Sequence, residues 1–547
     1  MQKFLYGFFS VLFLFGITST SLGSEPPLSP RPDGAVKMII LDSPSPLVQL
    51  KIMIKAGSAY DPVGYEGLAY LTARLLLEGS YGDPQAPVTK EKLAEITRPW
   101  GSAAKPSVSV EKEVTTFSMT VPREVFKSFN AQVLTPLFNR PLFVASELDR
   151  IRQETLEYVG SSLRFEDVEM LGLLALDNYI HEGTTYGHFV QGSVQGLKAV
   201  TTEQVRRFYG TYYRPENLIV GLSTKNPQIN QQVQAALKNI GGAIGSTPLE
   251  KSTIDPPSLV KGRQLVIIAH PNTIASGLHA GFPIALKRGD KDYWALYVAN
   301  VFLGTHRDSF GRLYNDFRQA RGYNYGDYSY IEWFANRPYH LFPPTNTPRR
   351  YQYFSIWIRP VALQYAHHLL KAMTWQLENF IRTGMTPEEC ELAKNKAKAL
   401  YLNLAETSSR LLAYKLDDAF YGMEDRGYLD TYLKSIDALT PEEINAAIKK
   451  YLQVDNLKYV IVTNKDWAER LRDDIANNRN AAGKNFKEYN IEFRAVNGDT
   501  LWQFPKSKMD LVQMDKVWEE YWLNLAPENI RVVKAEQVFE DGRFVAE

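Results

Sequence analysis

Tyr70 and Arg74, in the stretch AGSAYDPVGYEGLAYLTARLLLEGS (residues 56–80), are four apart and on a helix would project from one face. Leu68, Leu71, Leu75 and Leu76 recur at helical spacing and would face a core, which predicts a helix from about Gly67 to Glu78. Ala73, beside them, has no group that could take a proton from water. The Arg74 guanidinium keeps its proton and would repel a metal cation rather than bind it. By residue type alone this is a core helix with two polar residues at its rim. A second candidate pair, Arg318 and Tyr325, lies in DSFGRLYNDFRQARGYNYGDYSYIEW (residues 308–333); its plain structural reading is an ion pair of Arg318 with Asp316 and a Tyr325 that is one aromatic among Tyr323, Tyr328 and Tyr330. His181, His188, His270, His279, His306, His340, His367 and His368 include no pair at HxxxH spacing and read as satisfied structural histidines. Ser309 is not in a nucleophile elbow, and no glycine loop has the form that cradles a phosphate.

The elements that must position these residues follow from pattern. Residues 37–41 and 47–56 alternate as strands and lead into the helix. Residues 89–100 read as a short helix, and residues 107–121 as a hairpin with a charged tip. Helical periodicity returns over 122–137 and 146–163. From Thr201, TTEQVRRFYGTYYRPENLIVGLSTKN pairs with TPEEINAAIKKYLQVDNLKYVIVTNKD from Thr440; Tyr212 matches Tyr451, and Asn217 matches Asn456, each separated by 239 positions. That period is too long for a solenoid and implies two related domains. Between them, residues 239–262 have the composition of a linker. The second half opens with strands over 264–269 and 276–284 and a helix capped by Asp290 and ending at Leu303. A Pro- and Asn-rich insert at 334–349 reads as a loop, and helices follow over 363–382 and 387–404. In the tail, Trp502, Trp518, Trp522 and a strand-like IRVVKAEQVF argue for packing onto something, with no function assigned.

On the segment around Tyr70, Ala73 and Arg74, and on the repeated helix, turn and strand framework, residues 35 to 465 resemble the insulinase, pitrilysin and mitochondrial processing peptidase superfamily. In that family the helix carries HxxEH, the inverted zinc motif; the resemblance places its two histidines on Tyr70 and Arg74 and its general base on Ala73. It also implies a third ligand near Glu154 or Glu157, and an arginine and a tyrosine reaching the zinc site at Arg318 and Tyr325, both intact here. An arginine can hold a peptide carbonyl and a tyrosine can donate to a developing oxyanion. The resemblance therefore implies an α+β protein of two homologous domains, each a mostly antiparallel sheet with helices packed on one face. The expected limits are a signal peptide over 1–23, an N-terminal domain over 35–240, a linker over 241–262, a C-terminal domain over 263–466 and an extension over 467–547. The expected role is that of a non-zinc subunit in a heterodimeric zinc metallopeptidase: no metal in this chain, zinc in a paralogous partner, a peptide or unfolded polypeptide as substrate. The alternatives are a peptide-binding or structural scaffold subunit, and a self-sufficient metallopeptidase with unusual ligands.

Composition bounds these expectations. With 547 residues, 44% of them hydrophobic, the chain can bury large cores. A net charge of +1 gives no electrostatic case for nucleic acid or an anionic membrane surface. Lys3, an apolar run from Phe4 to about Ile17 and small residues at Ser21 and Gly23 have the layout of a secretory signal cleaved before Ser24, so the protein is expected to be exported to a periplasm or the exterior. The single cysteine, Cys390, permits no intrachain disulfide.

Overall fold

Runs rich in β-branched residues form the strands of two sheets, in a computed structural model that describes residues 35–241, 254–334, 343–484 and 508–545. Residues 1–23, expected as a signal peptide, and His340 and Trp502 lie outside those residues. In the first half, β1 (Lys37–Leu41), β2 (Leu47–Ile54), β5 (Ser107–Val110), β6 (Thr115–Pro122) and β7 (Leu218–Ser223) form a sheet in the order β1-β7-β2-β6-β5, while β3 (Tyr81–Asp83) and β4 (Ala86–Val88) make a separate ribbon. In the second half, β8 (Gln264–His270), β9 (Ala275–Ile284), β10 (Asp327–Tyr330), β11 (Gln352–Ala362) and β12 (Lys458–Asn464) repeat that order as β8-β12-β9-β11-β10. β13 (Ile530–Lys534) is added outside β8. Pairing is antiparallel except for β1 with β7, β8 with β12 and β8 with β13. The internal repeat of the sequence is thus a repeat of connectivity, and the fold is α+β.

Each sheet is covered by a helix from the other half. Helix Val168–Ile180 packs on β9, β11 and β12, and helix Ser408–Tyr421, its counterpart in the repeat, packs on β1, β2 and β7. Close approach depends on glycine in the covered strand. A Cβ on Gly281 would lie 2.9 Å from Ile180 Cδ1, and one on Gly221 would lie 2.3 Å from Leu416 Cδ1. Leu171, Leu176, Leu412 and Leu416 are fully buried at these contacts, and each side chain so removed from water contributes about 1.5–3 kcal/mol.

Charge is buried where the halves meet. The hairpin tip Glu111, Lys112 and Glu113, read from sequence as a charged turn, is almost wholly inside. Lys112 Nζ stands 3.8 Å from Asp177 and donates to the carbonyls of Tyr186 and His188. Arg349 Nη1 donates to Asp177 across 2.7 Å, and Arg350 Nε donates to Glu113 across 2.6 Å. Arg349 ends the Pro- and Asn-rich insert and Arg350 follows it directly, in an irregular stretch over 343–351 that enters the interface. Burial opposes ionisation of Asp177, yet Arg349 and Lys112 outweigh it and hold the carboxyl well below its ordinary range. Lys112 is pushed down to about 8, by burial first.

Some expectations shift. The helix after β9 begins at Tyr293, with Asp292 at its cap; Asp290 instead closes the preceding turn by accepting Lys287 N–H across 2.8 Å. The tail strand ends at Lys534, since a turn of 3-10 helix follows from Ala535. Trp518 is buried, whereas Trp522 is 56% exposed. His279 departs from the satisfied reading: it is fully buried, neither ring nitrogen has a hydrogen-bond partner among the described residues, and burial pushes its pKa down to about 3.

Asp177→Asn leaves Arg349 and Lys112 buried without their shared anion and should destabilise the fold by roughly 3–5 kcal/mol at pH 7. Because the folded-state pKa is depressed, the stabilisation by Asp177 is complete above its ordinary value of 3.8 and declines as pH falls below that. Urea titrations at pH 7, 4 and 3 should show the gap between the two proteins narrowing with acid; a gap independent of pH would contradict this assignment.

Candidate functional site

Asp61 sets the start of the helix that carries Tyr70 and Arg74. Its buried carboxylate accepts the Gly67 and Ala69 N–H groups, each across 2.7 Å, satisfying donors that a helix N-terminus leaves free. Gly67 adopts φ +104, a left-handed conformation that a side chain would strain, where the chain turns into helix Leu68–Glu78. Leu68, Leu71, Leu75 and Leu76 are buried as their spacing requires. Ala73 is fully buried too, while Tyr70 and Arg74 sit half-buried at the rim.

Arg74 is not idle there. Nε donates to Glu78 across 2.6 Å, Nη2 donates to Glu154 across 2.7 Å, Nη1 reaches Thr155 Oγ1 at 3.4 Å, and the guanidinium carbon lies 5.9 Å from the Tyr70 ring centre. Arg150 donates to Glu154 across 2.7 Å and Lys90 donates to Glu78 across 2.8 Å. Burial disfavours the Glu78 anion, but hydrogen bonds from Arg74 and Lys90 outweigh it and pull its pKa down to about 2. The Arg74 hydrogen bond, followed by that from Arg150, holds Glu154 below the usual carboxylate range. Of the two acids read from sequence, the structure brings Glu154 to Arg74; Glu157 is exposed on the next turn. Glu78 and Arg150 were not singled out from sequence, although Arg74 with Glu78 and Arg150 with Glu154 have the four-residue spacing of helical ion pairs.

This donor set does not fit zinc. The ion needs imidazole, thiolate or carboxylate lone pairs converging on it. Here a guanidinium already occupies the space between Glu78 and Glu154, with Tyr70 beside it. Among the described residues no group of three or more His, Cys, Asp or Glu side chains could hold a metal ion.

Arg318 and Tyr325 lie together, but not as the plain reading has them. The Asp316 carboxylate is buried toward Gln376 and Arg312, not paired with Arg318. Arg318 instead donates from Nη1 to the Tyr325 carbonyl across 2.8 Å and stacks 4.4 Å above the Tyr325 ring and 4.8 Å from that of Tyr314. Tyr325 is 71% exposed, so its hydroxyl is open to an incoming ligand. Arg359, on β11, lies 5.9 Å from the same ring and binds Glu169 of the first half across 2.8 Å.

A family model for insulinase, peptidase family M16, matches residues 37–170, and one for the peptidase M16 inactive domain matches residues 199–397, together more than half of the chain. The chain belongs to peptidase family M16. It is a member whose inverted zinc motif has been replaced. It is 26% identical over 302 residues to an uncharacterized zinc protease of Streptomyces coelicolor, covering 53% of this chain and 60% of that one, so it spans less than two thirds of that relative. It is 21% identical over 434 residues to the non-peptidase homolog YmxG of Helicobacter pylori, covering 77% of this chain and 90% of the relative. Among solved structures, the peptidase M16 inactive domain from Pseudomonas fluorescens superposes with TM-score 0.65 at 22% identity, over 79% of this chain and 96% of its own. A protease from Helicobacter pylori superposes with TM-score 0.66 at 14% identity, over 81% and 99%. At those identities the structures establish a shared fold.

The unmutated chain should carry no stoichiometric zinc by elemental analysis after dialysis against the metal. Tyr70→His, Ala73→Glu and Arg74→His together supply two ligands and a base beside Glu154, and should raise zinc content toward one equivalent. Stoichiometric zinc in the unmutated chain that is lost in Arg74→Ala would refute the ion-pair description.

Proposed function

We propose that this chain is the non-catalytic subunit of an exported heterodimeric zinc peptidase, contributing Arg318 and Tyr325 to a site whose zinc belongs to a paralogous partner. One observation carries the reading: among the zinc-motif positions Arg74 is held in ion pairs with Glu78 and Glu154, while Arg318 and Tyr325 form a stacked pair with Tyr325 open to solvent. The pairing with a zinc-bearing chain is an extension from family membership and from the names of relatives that include both a zinc protease and a non-peptidase homolog. In such a site the partner's zinc would supply the activated water. Arg318 would hold the peptide carbonyl, and the Tyr325 hydroxyl would donate to the oxyanion that develops on it. Export rests on the N-terminal signal layout alone; no helix among the described residues is long and apolar enough to cross a membrane. Mass spectrometry of the native protein tests it: a mature N-terminus near Ser24 supports a cleaved signal, an intact Met1 an anchor.

A second reading has its own support. Arg318 already donates to the Tyr325 carbonyl, as a residue that merely shapes its loop would, and this favours a peptide-binding or structural scaffold.

Reconstitution with a zinc-bearing paralogue from the same source separates them. Tyr325→Phe should leave dimer mass and zinc content unchanged and lower turnover about 100- to 1000-fold, whereas Arg318→Ala should chiefly raise KM. If both variants assemble and cleave at the unmutated rate, the scaffold reading stands.

A further inference from the structure

Helix Lys465–Ala476 follows β12 as helix Pro227–Leu237 follows β7, and the described residues beyond it add helix Lys508–Glu520 and β13 to the second half. They pack on β8 and on helix Ala366–Thr383, and they also reach the segment that carries Arg318. The segment carrying Arg318 is a π-turn over Tyr314–Gln319, a wide irregular geometry rarely stable alone, and it ends in Gly322 at φ +61. Asn315 ties its start to the Ser309, Phe310 and Gly311 carbonyls, Gln376 holds Asp316, and further contacts come from the C-terminal extension. Arg321, fully buried, donates from Nε to Asp515 across 2.7 Å and stacks 4.2 Å over Trp518, both on helix Lys508–Glu520. Its Nη1 returns to the Asp316 carbonyl across 2.8 Å. The Trp518 ring lies 5.6 Å from that of Phe317. Lys484 Nζ donates to the Arg321 and Gly322 carbonyls, each across 2.9 Å.

The extension then crosses to the other half. Beyond β13, the Phe539 and Glu540 carbonyls accept the Val194 and Gln195 N–H groups across 3.0 and 2.9 Å, and the Phe539 ring stacks 5.0 Å from Phe189. Gly542 packs against Glu66, where a Cβ would lie 2.3 Å from the carboxylate, one residue before the turn into the Tyr70 helix.

We infer that the C-terminal extension is a positioning element of the site, in which Asp515 and Trp518 grip Arg321 and so set the presentation of Arg318 and Tyr325. The inference rests on reading Arg318 and Tyr325 as the functional pair, but its test does not use peptide turnover. In the full chain Asp515→Asn removes the charge and keeps the shape. Amide exchange over residues 314–326 should quicken by about 10- to 100-fold, the loss of one charge-assisted hydrogen bond, while β8, β9 and β12 keep their protection. The fluorine resonance of 3-fluorotyrosine placed at position 325 should move toward that of the free amino acid, a change that a merely stabilising role would not produce. Trp518→Phe, which keeps an aromatic face, should give the same changes at smaller size and decides the matter should Asp515→Asn fail to fold. Trp522→Ala, at an exposed position, should change neither readout. Unchanged exchange over 314–326, or a rise spread evenly over the second sheet, overturns the inference. A normal turnover in Tyr325→Phe would overturn the peptidase-subunit reading and leave the positioning role intact.

Discussion

Asp177 is gripped by cations from both sequence halves, and the arrangement of the molecule depends on that contact. It lies on helix Val168–Ile180, which leaves its own half to cover the other half's sheet. Lys112 approaches from the first-half hairpin and Arg349 from the second-half insert. A buried ion pair is a weak source of net stability, because desolvation offsets most of the attraction. What it supplies is register. An apolar helix can slide by a turn on an apolar sheet at modest cost, but a buried carboxylate displaced from two cations cannot. The apolar contacts at Gly281 and Gly221 give the crossing its energy, and the charges give it one position.

This explains which features were legible in the sequence. Strand alternation around Leu50, the leucine spacing of the Tyr70 helix and the repeat linking Asn217 with Asn456 are local or periodic, and each appears in the structure where it was read. The crossing of the helices was not legible, because Leu171 and Leu176 look the same whichever sheet they cover. Nor was the burial of Glu111, Lys112 and Glu113: consecutive charges at a turn are ordinarily solvated, and only their remote partners Asp177 and Arg350 reverse that. The same blindness to remote partners produced the pairing of Arg318 with Asp316. Those residues are close in sequence, but the wide turn between them directs Asp316 inward to Gln376 and Arg318 outward over Tyr325.

The two candidate arginines are set apart by what surrounds them. Arg74 meets two carboxylates, each shared with a second cation, so its charge is paired and its donors are used. Arg318 meets aromatic faces and a carbonyl. A guanidinium over a ring stays cationic and keeps donors available for a further acceptor. Its charge is thus presented rather than consumed, and Tyr325 beside it offers a hydroxyl to the same solvent-facing space.

The exchange at the motif helix is conservative in charge and radical in chemistry. The exposed Glu154 carboxylate is paired with both Arg74 and Arg150, so a guanidinium brings charge to it without a metal. The electrostatic condition for packing the Tyr70 helix against helix Ala145–Glu157 is met. Lewis acidity is not, since a guanidinium has no vacant orbital for a water or a carbonyl oxygen and no proton it can exchange at neutral pH. At this position the guanidinium therefore supplies charge to Glu78 and Glu154 without the chemistry that a zinc ion would bring.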